Sequence, residues 1–151
     1  MSDLVLREAL ADGVVQLTIN RADRRNALNS NVLNALRIEF EAVRADNEAR
    51  VVVLTGAGDK AFCAGGDLSP AAGAGGLLNM HHDRHGFVDL FHSMRRCGKP
   101  IIARVQGHCL AGGLGLMLAC DLAIASESAT FGTPEIKRGL FPMMIMALIF
   151  R

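Results

Sequence analysis

Two glycine-rich segments, each set directly behind a short run of β-branched residues, constrain this chain more than any other feature. Gly56–Leu68 (GAGDKAFCAGGDL) follows RVVVLT, and Gln106–Asp121 (QGHCLAGGLGLMLACD) follows IIARV. Glycine permits backbone conformations and close approaches that a Cβ forbids. A chain with 16 glycines and neither tryptophan nor tyrosine therefore uses backbone in unusual places. It still has the means to build a core, since 50% of its residues are hydrophobic and 21% charged. That composition, with a mean hydropathy of +0.27, excludes a disordered chain. Its 151 residues suit one domain, which at this size buries roughly two-thirds of its chain surface. Residues 1–151 are expected to form a single core domain.

Sixteen basic residues against fifteen acidic leave a formal charge of +1. Broad electrostatic capture of nucleic acid is excluded, and only a local basic patch is left open. The longest apolar run, Gly139–Phe150, contains Pro142 and falls short of a bilayer span. The opening MSDLVLREALADG carries Asp3, Glu8 and Asp12, unlike a signal or transit peptide. Cys63, Cys97, Cys109 and Cys120 form neither a CxxC pair nor a dense framework, which reads as reduced thiols in the cytoplasm.

Hydrophobic periodicity alternates between strand and helix. Val14–Ile19 reads as a strand, followed by the polar loop NRADRRNALNS. Ser30 is placed to cap a helix from about Asn31 to Asp46, with Leu33, Leu36, Phe40 and Val43 on one face. Arg50–Thr55 reads as a buried strand, Gly56–Gly76 as a long loop, and Leu78–Arg96 as a helix stopped by Gly98 and Pro100. Strand Ile101–Val105, short helix Gly113–Ala119 and strand Leu122–Ala125 complete an α/β pattern with a partly parallel sheet. No fixed repeat emerges. Gly139–Phe150 reads as the beginning of a buried helix, so the chain is expected to be a piece of something longer.

Gly56-Ala57-Gly58-Asp59-Lys60-Ala61 fits the dinucleotide pattern G-x-G-x-x-A, which requires a helix to open inside the motif. Phe62 through Pro70 offers no such helix, and this reading is set aside. Gly112-Gly113 instead stands just before an apolar helical stretch. A helix N-terminus there would present free N–H groups and a positive dipole end to a small or transient anion. A tightly packed helix entry explains the same glycines, and the loop alone does not choose.

In order along the chain stand NRADRRNAL, FCAGGDL, AGGLGLMLACD and TPEIKRGLFP. Together, from about Val14 to Pro142, they resemble the crotonase family of enoyl-CoA hydratases and isomerases. The resemblance implies a crotonase-like α/β spiral of repeated ββα units, with the C-terminal helical region absent from this chain, and an acyl-CoA thioester substrate. Coenzyme A enters as part of that substrate, and no other cofactor is implied. By motif position, the N–H groups of Gly66 and Gly112 would form an oxyanion hole for the thioester oxygen as an enolate develops. Arg24, Ala64, Gly65, Asp67 and Leu68 would contact coenzyme A. Arg24 and its neighbour Arg25 read equally as ordinary solvated surface. Glu135, behind Pro134, would carry the proton, where its bland reading is a carboxylate complementing a helix dipole.

The second glutamate of the family's hydratases falls on Gly115, which can neither hold nor activate water. Hydration of a 2-enoyl-CoA and double-bond isomerisation are close competitors, with hydration in front. Dehalogenation and thioester hydrolysis rank below them. A non-catalytic acyl-CoA-binding or assembly module is the alternative from another class. A serine-protease reading finds no histidine and aspartate matched to Ser126 or Ser128. His81 and His85 have the i, i+4 spacing of a helical metal pair, but with His82 and Asp83 they read as an exposed polar segment, and no metal is expected. A substitute catalytic group from that loop is kept as a lesser option, while His92 and His108 read as packing or surface residues. The resemblance further implies a homo-oligomer, a trimer or hexamer.

Overall fold

The β-branched runs that sequence periodicity picks out as strands lie side by side in one sheet. The computed structural model describes residues 3–67, 76–139 and 141–150, and side chains throughout these except at 76–84 and 138. Strand β1 (Val5–Ala9) runs antiparallel to β2 (Val14–Ile19), and helix α1 (Ser30–Ala45) follows. Three further turns of chain then repeat one pattern. Strands β3 (Val51–Gly56) and β4 (Ala61–Cys63) precede α2 (Gly76–Arg96). Strands β5 (Ile101–Val105) and β6 (His108–Leu110) precede α3 (Gly112–Leu118). Strands β7 (Leu122–Ala125) and β8 (Thr130–Gly132) lead through a 3₁₀ turn, Pro134–Arg138, to α4 (Met143–Ile149).

In each of these turns the first strand joins a five-stranded sheet, ordered β1-β2-β3-β5-β7, and the second joins a three-stranded sheet, ordered β4-β6-β8. All pairings other than β1 with β2 are parallel. This is the expected spiral of ββα units. The three short strands β4, β6 and β8 and the N-terminal β1 were not among the expected elements. Strand β4 corrects the reading of Gly56–Gly76 as one long loop. The Gly56–Ala61 segment passes from one strand to the next and opens no helix, which removes the dinucleotide reading.

The cap of α1 is Asn29, not Ser30. Asn29 is extended, and its side chain accepts a hydrogen bond from Val32 N at 3.0 Å, the arrangement that satisfies one free donor of the first turn and is worth about 1 kcal/mol. Leu33, Leu36, Phe40 and Val43 are buried as expected, together with Val32. They pack with Leu17, Ile19, Leu54 and Leu90 in a core between the large sheet and the helices α1 and α2.

The last helix differs from its expectation. The run Gly139–Phe150 turns helical only at Met143, beyond Pro142, and Ile145 is its one buried residue among those described. Met143 and Phe150 are 75% and 77% exposed. An apolar composition set the expectation of a buried helix, but among the described residues only Ile145 is buried, against Gly115 of α3. No helix among the described residues is long and apolar enough to cross a membrane.

Candidate active site

The parallel order β4-β6-β8 brings three chain segments to one sheet edge, because each leaves the carboxyl end of its strand there. Ala64-Gly65-Gly66 follows β4, Ala111-Gly112 follows β6, and Thr133-Pro134-Glu135 follows β8. Ligands of parallel α/β sheets bind beyond the carboxyl ends of the strands for this reason.

The first two segments touch. A Cβ on Gly65 would stand 2.7 Å from Ala111 Cβ and 3.2 Å from Gly112 N, so only glycine fits, and its φ of +96° is equally a glycine conformation. A Cβ on Gly112 would stand 3.7 Å from Gly66 N, so the two backbone nitrogens named in the sequence analysis are neighbours. Neither N–H has a backbone acceptor among the described residues. Gly66 forms a parallel bridge with Leu28 whose bonds run from Leu28 N to Gly65 O and from Asp67 N to Leu28 O, both at 2.8 Å. The alternation of a strand then turns the Gly66 N–H away from Leu28. Gly112 opens α3, and the first N–H groups of a helix have no acceptor within it. Ala111, just before it, holds φ 51° and ψ −124°, an unfavourable conformation for a residue with a Cβ and the kind of local strain that collects at functional sites.

Glu135 stands in the 3₁₀ turn behind β8, the strand that pairs with β6 in register from His108–Thr130 to Leu110–Gly132. Its Oε2 is buried with no hydrogen-bond partner among the described residues. A buried acceptor left without any partner costs about 1–3 kcal/mol.

Residues read as contacts for coenzyme A divide. Ala64 N–H donates to Arg25 O at 3.0 Å, tying the Asn20–Leu28 loop to the β4 loop. Gly65 forms the close contact already described. Asp67 Oδ2 lies 2.9 Å from Arg21 Nη2 in a largely buried ion pair, so this carboxylate holds two loops together. Arg24 points outward, with its side chain 61% exposed and 3.7 Å from Asp23. Leu68, like the Pro70 to Gly75 stretch, lies outside the described residues. So do the side chains of His81, His82 and Asp83 on α2. His85, His92 and His108 are exposed, the last with its Nδ1 2.6 Å from Thr130 Oγ1. No group of three or more His, Cys, Asp or Glu among the described residues could hold a metal ion. Gly115 is buried, and a Cβ on it would overlap Ile145 Cγ2.

Several supporting residues escape a reading of the sequence. Asn26 is fully buried at φ 55°. Its Oδ1 accepts from Arg21 N at 3.1 Å, and its Nδ2 donates to Ala57 O at 3.0 Å and Ala61 O at 2.7 Å. The signal available was an asparagine inside a polar loop, a residue that tolerates the left-handed region. Gln106 Nε2 reinforces the same loop through Gly56 O and Ala61 O, at 2.7 and 3.0 Å. Cys63 and Cys109 lie opposite each other on β4 and β6, under both glycine segments. Cys63 Sγ accepts from Gly65 N and Cys109 Sγ donates to Gly113 O, each at 3.4 Å. Burial pushes both thiols up to about 12, so they serve as packing and weak hydrogen-bonding groups, not as nucleophiles. Phe87 of α2 places its ring edge 3.0 Å from where a Cβ of Gly112 would be, an apolar wall beside the two donors.

The profile of the enoyl-CoA hydratase/isomerase family matches residues 9–151. Among solved structures, an enoyl-CoA hydratase from Mycobacterium smegmatis is similar with a TM-score of 0.92 and 36% identity, over 98% of this chain and 57% of that one. An enoyl-CoA hydratase from Bacillus anthracis matches with a TM-score of 0.86 and 34% identity, over 92% and 54% respectively. An enoyl-CoA hydratase/carnitine racemase from Magnetospirillum magneticum matches with a TM-score of 0.88 and 30% identity, over 99% and 56%. The chain therefore spans little more than half the length of these relatives.

Proposed function

The chain belongs to the enoyl-CoA hydratase/isomerase family, and on that premise we propose that it binds an acyl-CoA thioester and stabilises its enolate between the N–H groups of Gly66 and Gly112. The observation that carries this reading is their adjacency, with Gly66 N 3.7 Å from the Cβ position of Gly112. Two fixed donors aimed at one point are what a thioester oxygen needs as it gains charge, and each is worth about 2.7–4 kcal/mol of barrier. Coenzyme A would enter on the β4 side, where Ala64 and Gly65 meet the Asn20–Leu28 loop. The acyl group would then extend towards α3 and Glu135.

Glu135 is the proton carrier in this reading, supported by its buried and unpartnered Oε2. It removes a proton from the carbon next to the carbonyl, the negative charge moves onto the thioester oxygen, and the carboxylic acid returns the proton two carbons further along. Such a shift of a double bond needs one carboxylate only. It is favoured by the contact at Gly115, where Ile145 occupies the space that a second carboxylate would require. Addition of water to a 2-enoyl-CoA is the second reading, favoured by what the relatives from Mycobacterium smegmatis and Bacillus anthracis are called.

The deciding experiment follows ultraviolet absorbance with a 2-enoyl-CoA and, separately, a 3-enoyl-CoA, using the parent chain and Glu135→Gln. Isomerisation raises the conjugated absorbance of the 3-enoyl substrate, and hydration lowers that of the 2-enoyl one. The variant should lose about 100- to 10,000-fold in rate while its affinity for the CoA ester stays close to the parent's. Full activity in Glu135→Gln overturns the assignment. A parent that binds acyl-CoA without altering either substrate returns the protein to a binding module.

A further inference from the structure

We infer that Arg21 is the positioning residue of the Gly66 donor, and that its ion pair with Asp67 sets how strongly the site holds an enolate. This rests on the oxyanion reading above and adds to it the group that aims one of the two N–H donors. Gly66 itself is poorly fixed. It follows Gly65, which holds a φ of +96°, and no described residue lies within 4 Å of a Cβ added to it. Packing therefore does not decide where its N–H points, and glycine backbone is the least restrained of all. The direction comes from the isolated bridge to Leu28, made by the bonds from Leu28 N to Gly65 O and from Asp67 N to Leu28 O.

One guanidinium clamps this bridge. Arg21 Nη1 donates to the carbonyl of Ala27, just before Leu28, at 2.6 Å, and Nη2 donates to Oδ2 of Asp67, just after Gly66, at 2.9 Å. The two ends of the fork thus hold the two segments beside the Leu28–Gly66 pair. A planar fork with fixed donors suits this task, whereas the single ammonium of a lysine does not. The fork is itself anchored. Arg21 N donates to Oδ1 of the fully buried Asn26 at 3.1 Å, and Arg21 O accepts from Asn26 N at 2.8 Å. The side chains of Arg21 and Asp67 are 15% and 10% exposed. A pair so enclosed contributes little net stability after desolvation, and its contribution is geometric. Breaking it leaves Gly65-Gly66 held by the bridge alone, and the Gly66 N–H loses the direction that it shares with Gly112.

The test is calorimetric binding of butyryl-CoA and acetoacetyl-CoA to the parent chain, Arg21→Met, Arg21→Lys and Asp67→Asn. Acetoacetyl-CoA ionises to an enolate whose charge lies partly on the thioester oxygen, while butyryl-CoA keeps a neutral carbonyl. The ratio of their affinities therefore reads the donors and not the contacts with coenzyme A. The parent should favour acetoacetyl-CoA by about tenfold or more. Arg21→Met should cut that preference about tenfold, with butyryl-CoA within about twofold of the parent. Arg21→Lys, which keeps a charge beside Asp67 and loses the fork, should recover part of the preference. Should Arg21→Met fail to fold by circular dichroism, Asp67→Asn removes the charge from the other side with nearly the same shape and is judged by the same criterion. A folded variant that keeps the parent's ratio, or one that loses both esters alike, overturns the inference, because the pair then serves the loops and not the donor. A parent with no preference for acetoacetyl-CoA overturns the oxyanion reading itself, and the positioning role with it.

Discussion

The two flanks of the small sheet are built to different standards. On the β4 flank, the Asn20–Leu28 loop, the Gly56–Ala61 connection and the Gly66 segment are knitted together by Asn26, Gln106 and the Arg21–Asp67 pair. Backbone bonds from Leu28, Ala64 and Asp67 close the same cluster. On the β8 flank, the β7 strand is exposed along its whole length, Leu122 and Ile124 are 62% and 65% exposed, and Ile136 is 80% exposed. Ile145 is buried on that flank, and Glu135 is half-buried. The difference teaches which half of the chemistry the described residues organise by themselves. The segments carrying Gly66 and Gly112 rest on a dense polar network, while Glu135 sits on thin support.

The sharpest break of this comparison comes at Gly66. No described residue lies within 4 Å of a Cβ added there, so Gly66→Ala is expected to fold and to work, since it keeps the N–H. Gly66→Pro removes the N–H and should lower turnover by about 100- to 1,000-fold, equivalent to about 2.7–4 kcal/mol of barrier. Circular dichroism separates this from misfolding. If both variants turn over normally, the β4 loop supports something other than a donor.

A smaller effect separates the flanks by stability. Asn26→Ala removes a fully buried side chain and leaves the part-buried Arg21 N and Ala57 O without its hydrogen bonds, and about 1–3 kcal/mol should be lost in urea unfolding. Ile124→Ser on the exposed strand should change stability by no more than about 0.5 kcal/mol. Equal losses at both positions would mean that the β7 surface is covered in solution, and the contrast between the flanks would fall.

What the sequence made legible follows the same division. The strands β2, β3, β5 and β7 and the apolar face of α1 were readable, since runs of four to six residues carry a period. The strands β4, β6 and β8 have three residues each, too few for alternation to register, so the threefold ββα repeat was hidden although every site segment hangs from it. That the segments of Gly66, Gly112 and Glu135 belong together was readable because their motifs survive as words. The contacts of Phe87, Asn26, Arg21 and Ile145 were not, because each joins residues that only the spiral brings together. Gly115 shows the limit best. By motif it is a missing glutamate, and by packing it is the socket of Ile145.

The last and smallest effect tests the thiols beneath the two glycine segments. Burial raises Cys63 from an ordinary 9.0 to about 12, so its thiol stays protonated in the fold when the unfolded chain has already released that proton. The stability tied to the neutral thiol is whole below pH 9 and is lost as pH climbs towards 12, at about 1.4 kcal/mol per pH unit for one such group. Urea unfolding under reducing conditions at pH 8, 9 and 10 should therefore show the parent falling more steeply than Cys63→Ala, by about 1.4 kcal/mol at pH 10. Parallel curves would mean that water reaches Cys63 in the folded state. The β4 flank would then be as loosely held as the β8 flank, since Cys63 immediately precedes Ala64-Gly65-Gly66 and its Sγ supports Gly65 N.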